Sequence, residues 1–214
     1  MSSFHLPGLL YDWVVERFLK RSKARIAQSI QRSLLYPALD IGCGSGKQCS
    51  LITREDDLVI GLDIDNRMLQ YGHSKYKKVC FICADAAITP FRDSSFRGII
   101  LSYALHEHKS SFRDQLIQEA DRLLASNGRL IILDFDSAWK ERSIIAYILI
   151  YLIERIAGKE HFLNGREFLR QGGLSAFVRR TNLKLVKKAR RARGNSSLIV
   201  LEKAQEGTIC INQV

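Results

Sequence analysis

The sequence has no apolar run long enough to cross a membrane. The longest one, Ile144 to Ile153, has ten residues, whereas a membrane-spanning helix needs about 20. Near the start, Asp12, Glu16 and Arg17 interrupt any basic segment followed by an apolar one. We therefore expect a cytoplasmic protein whose cysteines are free thiols in a reducing compartment.

The cysteines and histidines do not form a complete metal-binding motif. Cys80 and Cys83 make one Cys-x-x-Cys pair among five cysteines, but the second pair that a zinc site of this type needs is missing. Since the pair lies in an apolar run, we expect it on a buried strand. His106 and His108 form an isolated His-x-His without a third ligand nearby. The sequence therefore predicts no metal site.

Acidic residues are absent from the segment Arg179 to Arg193, which holds eight lysines and arginines in a chain of net charge +11. Such a block is typical of a solvated face, and it also suits a weak contact with an anionic membrane surface. The segment has no interleaved aromatic residues on which bases could stack, so a nucleic-acid partner is not expected. We predict at most a peripheral membrane contact through residues 179–193. The oligomeric state is not specified by the sequence.

Short apolar runs and amphipathic segments alternate along most of the chain, which has 214 residues, 46% of them apolar. This alternation predicts a parallel sheet with helices on both faces. After residue 183 two strand candidates follow each other without a helix between them, which predicts an antiparallel hairpin. We therefore expect an α/β fold, a three-layer αβα sandwich around a seven-stranded, mostly parallel sheet with an antiparallel C-terminal hairpin. The strand candidates are residues 38–41, 58–62, 79–83, 98–101, 130–133, 183–189 and 197–201.

Three glycines at alternating positions, Gly42, Gly44 and Gly46, follow the first predicted strand. Glycine allows a sharp turn there and lets a ligand approach the backbone without a Cβ in the way. Asp40, inside the end of the strand, is expected to face the approaching ligand. Where a dinucleotide fingerprint has its third glycine, this sequence has Lys47. The loop resembles the first motif of the class I S-adenosylmethionine-dependent methyltransferases.

Three later segments are similar to the ubiquinone/menaquinone-type branch (methyltransferase type 11) of that family. They are Thr89 to Arg97, Leu101 to His106, and Ala120 to Leu124 with Gly128 to Leu130. The resemblance covers residues 36–136. It departs from the branch at Arg97, where an acid is usual, and at Ala125 to Asn127, where Lys-Pro-Gly is usual. It implies a Rossmann-like methyltransferase fold, S-adenosyl-L-methionine as the cofactor and S-adenosyl-L-homocysteine as the product.

No linker or internal repeat divides the sequence, so we predict a single domain over residues 1–204, followed by a tail over 205–214. Helical periodicity begins at residue 9, and Gly128 is expected to end a helix over residues 112–125 in a left-handed conformation. The predicted parts of the domain are an N-terminal helical cap (1–35), a cofactor-binding core (36–136), a helical substrate-side insertion (137–180) and the hairpin (181–204).

Acidic residues end the second and third predicted strands. Ligands of parallel sheets bind beyond the carboxyl ends of the strands, so Asp63 is placed to accept hydrogen bonds from both ribose hydroxyls of a nucleoside. Its alternative role, capping the next helix, suits Asp65 better. The resemblance assigns Asp85, otherwise a helix cap, to the adenine amine, the backbone N–H of Ala86 to a ring nitrogen and Ile64 to the adenine face. The predicted cofactor-binding residues are Asp40, Gly42, Cys43, Gly44, Gly46, Asp63, Ile64, Asp85, Ala86 and Ser102.

His106 follows the fourth predicted strand and lies near the methyl group in the topology that the resemblance implies. Because histidine titrates near neutral pH, we predict that His106 contacts the substrate or acts as a general base. The alternative is a histidine that caps the loop or packs under it. Tyr103 is a further predicted substrate contact. Tyr11 is similar to N-terminal elements that close over the cofactor in this branch, and it equally fits the core side of an amphipathic helix.

The predicted function is S-adenosylmethionine-dependent methyl transfer to a small or lipophilic acceptor. The apolar segment 144–153 and the lack of a separate recognition domain favour such an acceptor over a protein. A NAD(P)-binding oxidoreductase is one alternative, which Lys47 and Asp85 disfavour. A non-catalytic subunit that binds the cofactor is another. The third is an RNA methyltransferase, for which base N-methylation is disfavoured because an Asn-Pro-Pro-Tyr-type motif is missing.

Overall fold

The computed structural model describes residues 7–137, 155 and 158–203 of the chain. The strands are β1 (Ala38–Ile41), β2 (Val59–Asp63), β3 (Cys80–Cys83), β4 (Phe96–Ser102), β5 (Leu124–Phe135), β6 (Lys184–Arg191) and β7 (Ser196–Glu202). The helices are α1 (Pro7–Arg32), α2 (Lys47–Ile52), α3 (Asn66–Lys75), α4 (Ser110–Leu123), α5 (Lys159–Arg170) and α6 (Gly173–Val178), and a 3₁₀ turn spans Ala192–Gly194.

The strands form one sheet in the order β3-β2-β1-β4-β5-β7-β6. Strands β1 to β5 are parallel, and β7 is antiparallel to both β5 and β6. This confirms the predicted seven-stranded, mostly parallel sheet with an antiparallel hairpin. The strand order reverses at β1, which lies between β2 and β4, and open parallel sheets bind ligands in the crevice at such a point.

Side chains of the central strands alternate between two apolar layers, because successive residues of a strand point to opposite faces. Leu39 and Ile41 of β1 pack in one layer with α4 and α6, whereas Ala38 packs in the other with α1 and α2. Both faces of the sheet are covered, which explains why its parallel strands are continuous apolar runs. The two helical layers confirm the predicted αβα sandwich.

The Cys-x-x-Cys pair does not lie on a buried strand, so that prediction was wrong. Cys80 and Cys83 are exposed because β3 is an edge strand that pairs only with β2. Their thiols, and those of Cys43 and Cys49, are free in the part of the chain that the structure describes.

The connection from α4 to β5 also differs from the prediction. The helix ends at Leu123, the chain turns extended at Leu124, and Gly128 lies inside β5 without a positive φ. A Cβ at Gly128 would lie 3.0 Å from the backbone oxygen of Arg97. The glycine therefore permits a close approach of two strands and does not end the helix.

Some predictions fall on parts of the chain that the structure does not describe. The apolar run 144–153 and the tail 205–214 lie outside the described residues. Of the helices that are described, none is both long and apolar enough to pass through a membrane. The division into cap, core, insertion and hairpin stays a prediction.

Candidate active site

The glycine loop that follows β1 depends on glycine at all three alternating positions. Gly42, Gly44 and Gly46 have φ values of +72°, +54° and +73°, in the left-handed region that L side chains rarely adopt. A Cβ at Gly46 would lie 2.4 Å from the ring of Phe81. The loop therefore turns tightly against β3 and exposes backbone at the carboxyl end of the sheet.

Asp63, at the end of β2, holds this loop in place. Its Oδ2 accepts a hydrogen bond from the backbone N–H of Gly44 at 2.7 Å, and its Oδ1 accepts one from that of Asp65 at 2.9 Å. Each carboxylate oxygen has a second lone pair, which remains suited to a ribose hydroxyl. Asp65 caps α3, accepting from the backbone N–H groups of Arg67 and Met68, so the prediction that Asp65 is the better cap is confirmed.

Ile64 and Asp85 follow two neighbouring strands and are both exposed. The side chain of Ile64 is 74% exposed. One oxygen of Asp85 accepts from the backbone N–H of Ala87 at 2.8 Å, which leaves the other to accept from an amine. An exposed apolar side chain and two carboxylates at neighbouring strand ends fit a nucleoside with a flat base, as S-adenosylmethionine requires. Three other predicted cofactor residues, Cys43, Ala86 and Ser102, are half-buried at the same edge of the sheet. We call this glycine loop with Asp63, Ile64 and Asp85 the cofactor half.

Asp40 does not face an approaching ligand, so that expectation was wrong. Its side chain lies on the α2 side of the sheet and is 2% exposed, and the thiol of Cys49 donates to its Oδ2 at 3.4 Å. Burial raises the pKa of Asp40 to about 7, although the hydrogen bond from Cys49 and the charge of Lys23 oppose the shift. The residue is a buried, readily protonated acid beneath the glycine loop.

A buried histidine–carboxylate pair lies at the ends of β4 and β5. His106 Nδ1 is 2.8 Å from Asp134 Oδ1, and the two side chains are 2% and 0% exposed. The second oxygen of Asp134 accepts from the backbone N–H groups of Leu105 and His106 at 2.9 and 3.3 Å. Because a carboxylate can only accept, the proton of a neutral His106 lies on Nδ1 and the lone pair on Nε2.

Helix α5 is fastened over this pair by a buried arginine. Arg113 is fully buried, and its Nε donates to the backbone oxygen of Leu105 at 3.0 Å while an Nη donates to that of Asn164 at 2.9 Å. Asn164 in turn donates from its side chain to the backbone oxygen of Glu107 at 2.8 Å. These bonds join α4, the loop after β4 and α5 into one unit. We call His106, Asp134 and the residues fastened around them the acceptor half.

The first turn of α5 places His161 beside His106, with ring centroids 5.2 Å apart. His106, Glu107 and His161 each offer a ligand atom, and these atoms lie within 4.8 Å of one another. The premise that no third ligand lies near the His-x-His pair was therefore wrong. The second histidine of that pair, His108, has its pKa lowered by burial and then by His106.

Aromatic rings line the acceptor half on the sheet side. The Tyr103 backbone has a φ of +57°, its hydroxyl lies 3.0 Å from Ser196 Oγ, and its ring centroid is 5.4 Å from that of Phe135. The centroid of Phe135 lies 4.4 Å from that of His106. Tyr11 belongs to α1, but its side chain lies outside the described part of the chain. The substrate roles of both tyrosines stay predictions.

Sequence reasoning did not identify Asp134, Arg113 or His161. Asp134 carries the same sequence signal as Asp63, an acid at the carboxyl end of an apolar strand. That signal could have identified Asp134 as a candidate. Arg113 and His161 have no local signal. Arg113 lies on α4 and bonds to the loop after β4, whereas the packing of α5 brings His161 to that loop.

A family model described as methyltransferase domain matches residues 39–132, from β1 into β5. The match spans less than half of the chain, and it makes residues 39–132 similar to the class I S-adenosylmethionine-dependent methyltransferases. Demethylmenaquinone methyltransferase of Thermotoga maritima is 33% identical over 114 residues, which cover 52% of this chain and 49% of that protein. The ubiquinone/menaquinone biosynthesis C-methyltransferase UbiE of Blochmanniella pennsylvanica is 29% identical over 146 residues, which cover 63% of this chain and 54% of that protein. The resemblance of this methyltransferase domain to the UbiE branch is thus confirmed, and the chain spans about half the length of these curated relatives.

The solved structures support the fold. The N-methyltransferase NodS from Bradyrhizobium japonicum, in complex with S-adenosylhomocysteine, superposes with a TM-score of 0.62 at 13% identity, covering 88% of each chain. At this identity the likeness concerns the fold alone. The cofactor half fits S-adenosylmethionine, the cofactor of the methyltransferase family to which residues 39–132 are similar.

Proposed function

We propose that the protein transfers a methyl group from S-adenosylmethionine to a small or lipophilic acceptor with an ionisable hydroxyl on a flat ring. The observation that carries the proposal is the buried His106–Asp134 pair beside the glycine loop. Bound S-adenosylmethionine supplies an already activated methyl group. What remains for the chain is to orient the acceptor, exclude water and remove a proton.

The cofactor half is proposed to bind and orient the nucleoside. Asp63 would accept from the ribose hydroxyls while bracing the loop through Gly44. Asp85 would accept from the adenine amine, and Ile64 would cover the base. A pocket built on two carboxylates suits this ligand better than a dinucleotide phosphate, which disfavours an oxidoreductase.

The acceptor half is proposed to remove the proton. His106 Nε2 would accept it from the acceptor hydroxyl, and Asp134 would stabilise the imidazolium that results. The ionised oxygen donates electron density to the ring as well as being a nucleophile itself, so the same base serves O- or C-methylation.

The acceptor class follows from the rings around His106. Tyr103, Phe135 and His161 surround it with centroid distances of 4.4 to 6.0 Å, which suits a planar partner. The relatives named above are demethylmenaquinone and ubiquinone/menaquinone methyltransferases. A quinol or related phenol is therefore the proposed acceptor.

Turnover tests the proposal. The purified protein is incubated with S-adenosylmethionine and a set of quinols, phenols and aliphatic alcohols, and S-adenosylhomocysteine is quantified by mass spectrometry. We expect S-adenosylhomocysteine to be released when the acceptor is a quinol or phenol. The His106→Ala variant should lose this turnover and keep its affinity for S-adenosylhomocysteine, measured by calorimetry. Thermal stabilisation of the protein by NADP and not by S-adenosylhomocysteine would contradict the proposal. A ligand at 100 times its dissociation constant adds about 2.7 kcal/mol to the free energy of unfolding, so the difference is measurable. Tight binding without turnover on any acceptor carried through purification would instead indicate the non-catalytic subunit.

A further inference from the structure

A cluster of three metal-ligating side chains lies in the acceptor half. His106, Glu107 and His161 offer ligand atoms within 4.8 Å of one another. We propose that this cluster binds a divalent first-row transition metal such as Zn²⁺, which holds the oxygen of the methyl acceptor. The binding of the metal stands by itself, whereas its contact with the acceptor rests on the proposed function.

His106 is already oriented as a ligand. Its Nδ1 is bonded to Asp134 at 2.8 Å, so Nε2 is the atom that can bind a metal. A carboxylate behind a metal-bound imidazole fixes the tautomer and raises the basicity of the ligating nitrogen. Asp134 is itself fixed by the backbone N–H groups of Leu105 and Phe135, at 2.9 and 2.7 Å. The supporting shell of a metal site is therefore present.

His161 is brought to the cluster by a fixed helix. Arg113 and Asn164 tie α5 to the loop that carries His106 and Glu107, through bonds of 2.8 to 3.0 Å. Arg113 is fully buried and contacts the ring of Phe168 with its guanidinium, 4.9 Å from the centroid. The distance between the two histidines thus does not depend on a flexible loop.

The donor set determines the class of metal. Two imidazole nitrogens and one carboxylate oxygen suit zinc, iron, manganese or cobalt, whereas magnesium and calcium prefer oxygen ligands. Ligand atoms on a tetrahedral zinc lie about 3.3 Å apart, so the cluster must tighten. Glu107 is exposed and His161 half-buried, and the cluster would tighten by rotation of these two side chains towards the metal.

Three protein ligands leave at least one coordination position open. An acceptor hydroxyl bound there would have its pKa lowered by the cation and would release its proton to water. With the metal bound, His106 would serve as a ligand and the metal would replace it in ionising the acceptor. The bond formed is between the metal and the acceptor oxygen, and the bond broken is the O–H bond.

Cobalt provides a direct test, because Co²⁺ in such a site has visible absorption bands that sharpen and shift with coordination. The chelator-treated full chain is titrated with Co²⁺, and Zn²⁺ is then added to displace it. We expect one Co²⁺ per chain, with affinity at least about tenfold lower in His161→Ala and Glu107→Gln. The control His73→Ala, on the exposed face of α3, should bind as the unchanged protein does.

Absence of the bands, or equal affinity in His161→Ala and the unchanged protein, would overturn the metal site. Circular dichroism and S-adenosylhomocysteine affinity report on the folding of each variant. If Co²⁺ binds and S-adenosylhomocysteine does not, the metal site stands and the proposed function fails. If turnover is the same in metal-free and zinc-loaded protein, the contact between metal and acceptor is wrong.

Discussion

The cofactor half and the acceptor half differ in how their side chains are held. In the cofactor half, Ile64 is 74% exposed and Asp85 is exposed with one oxygen bonded to the backbone N–H of Ala87. In the acceptor half, His106 and Asp134 are almost fully buried and bonded to each other. One half is an open surface that a ligand completes, whereas the other is a network that exists before any ligand arrives.

This difference predicts different consequences of substitution. An exposed group that loses its contact is solvated by water, so the loss appears chiefly in ligand affinity. A buried group that loses its partner stays unsatisfied, which costs about 1 to 3 kcal/mol or more for a charge. We therefore expect changes in the cofactor half to alter binding and changes in the acceptor half to alter rate or stability.

The largest effect is expected for Asp134→Asn. The amide of asparagine presents either a donor or a weaker acceptor to Nδ1 of His106. The imidazole then no longer has a fixed tautomer, and the imidazolium that forms during catalysis is no longer stabilised by a carboxylate. General acid–base catalysis contributes about 10² to 10⁴-fold, and kcat should fall by that range while S-adenosylhomocysteine affinity stays the same. Single-turnover kinetics and calorimetry measure the two quantities.

Asp136→Asn is the matched control, since Asp136 lies two residues further along the chain and is equally buried. Its carboxylate accepts from the hydroxyls of Ser175 and Ser197 and pairs with Lys188 at 3.5 Å, on the side of the hairpin. This variant should lose about 1 to 3 kcal/mol of stability with kcat largely kept. A similar loss of kcat in both variants would remove the distinction between the chemistry and the scaffold.

The next effect concerns the acid beneath the glycine loop. The pKa of Asp40 is raised from 3.8 to about 7 by burial. The folded chain keeps this proton up to a higher pH than the unfolded chain does. The stability that protonated Asp40 contributes is therefore fully present below about pH 4 and is lost as pH rises through about 7. The loss amounts to at most about 4 kcal/mol.

Asp40→Asn should abolish this loss of stability, whereas Asp56→Asn on an exposed loop should not. Urea unfolding at pH 4 and pH 8 measures it, and equal pH dependence in both variants would contradict the assignment.

A smaller effect separates the two acids of the cofactor half. Asp63 braces Gly44 and is placed for two ribose hydroxyls, whereas Asp85 is placed for one amine. Loss of a hydrogen bond to a charged group costs about 1.5 to 3 kcal/mol. Calorimetry should show a tenfold or greater loss of S-adenosylhomocysteine affinity in Asp63→Ala and a smaller one in Asp85→Ala. Equal and negligible losses would place the nucleoside elsewhere, and Co²⁺ affinity should be unchanged in both variants.

The same comparison explains what the sequence could reveal. The cofactor half consists of residues at the ends of β1, β2 and β3, each next to the strand that positions it. Strand pattern and glycine spacing were therefore sufficient to predict Asp63, and the family resemblance added Asp85 at the end of the next strand. The acceptor half is built from residues 28 and 27 positions apart in the chain, His106, Asp134 and His161. His106 and Asp134 lie at the ends of the paired strands β4 and β5, whereas the proximity of His161 depends on the packing of α5 through Arg113, which has no periodic or spacing signal. The sheet was predictable because its alternation is local and repeated, whereas the exposure of Cys80 depended on strand order.

In the basic segment 179–193, the fold changes which charges are available to a partner. A bulge at Val186 shifts the register between Leu185 and Lys187, so simple alternation of faces does not hold along β6. Of the eight basic residues, Lys184 pairs with Glu202 at 3.3 Å and Lys188 with Asp136 at 3.5 Å. The charge available to a membrane is therefore smaller than the sequence suggests.

The smallest expected effect is a salt-sensitive contact of this hairpin with anionic lipid. Arg179, Arg180 and Lys187 are exposed, and Leu185 beside them is 52% exposed. Since each basic residue near an anionic leaflet contributes about 1 kcal/mol, three give weak binding that screening removes. Liposomes containing phosphatidylserine should sediment the protein at low salt and not at physiological salt, and Arg179→Gln with Lys187→Gln should abolish sedimentation without altering turnover in detergent. No sedimentation at low salt would mean that the basic edge is only a solvated face, and the acceptor would then have to reach the rings around His106 without help from a membrane surface.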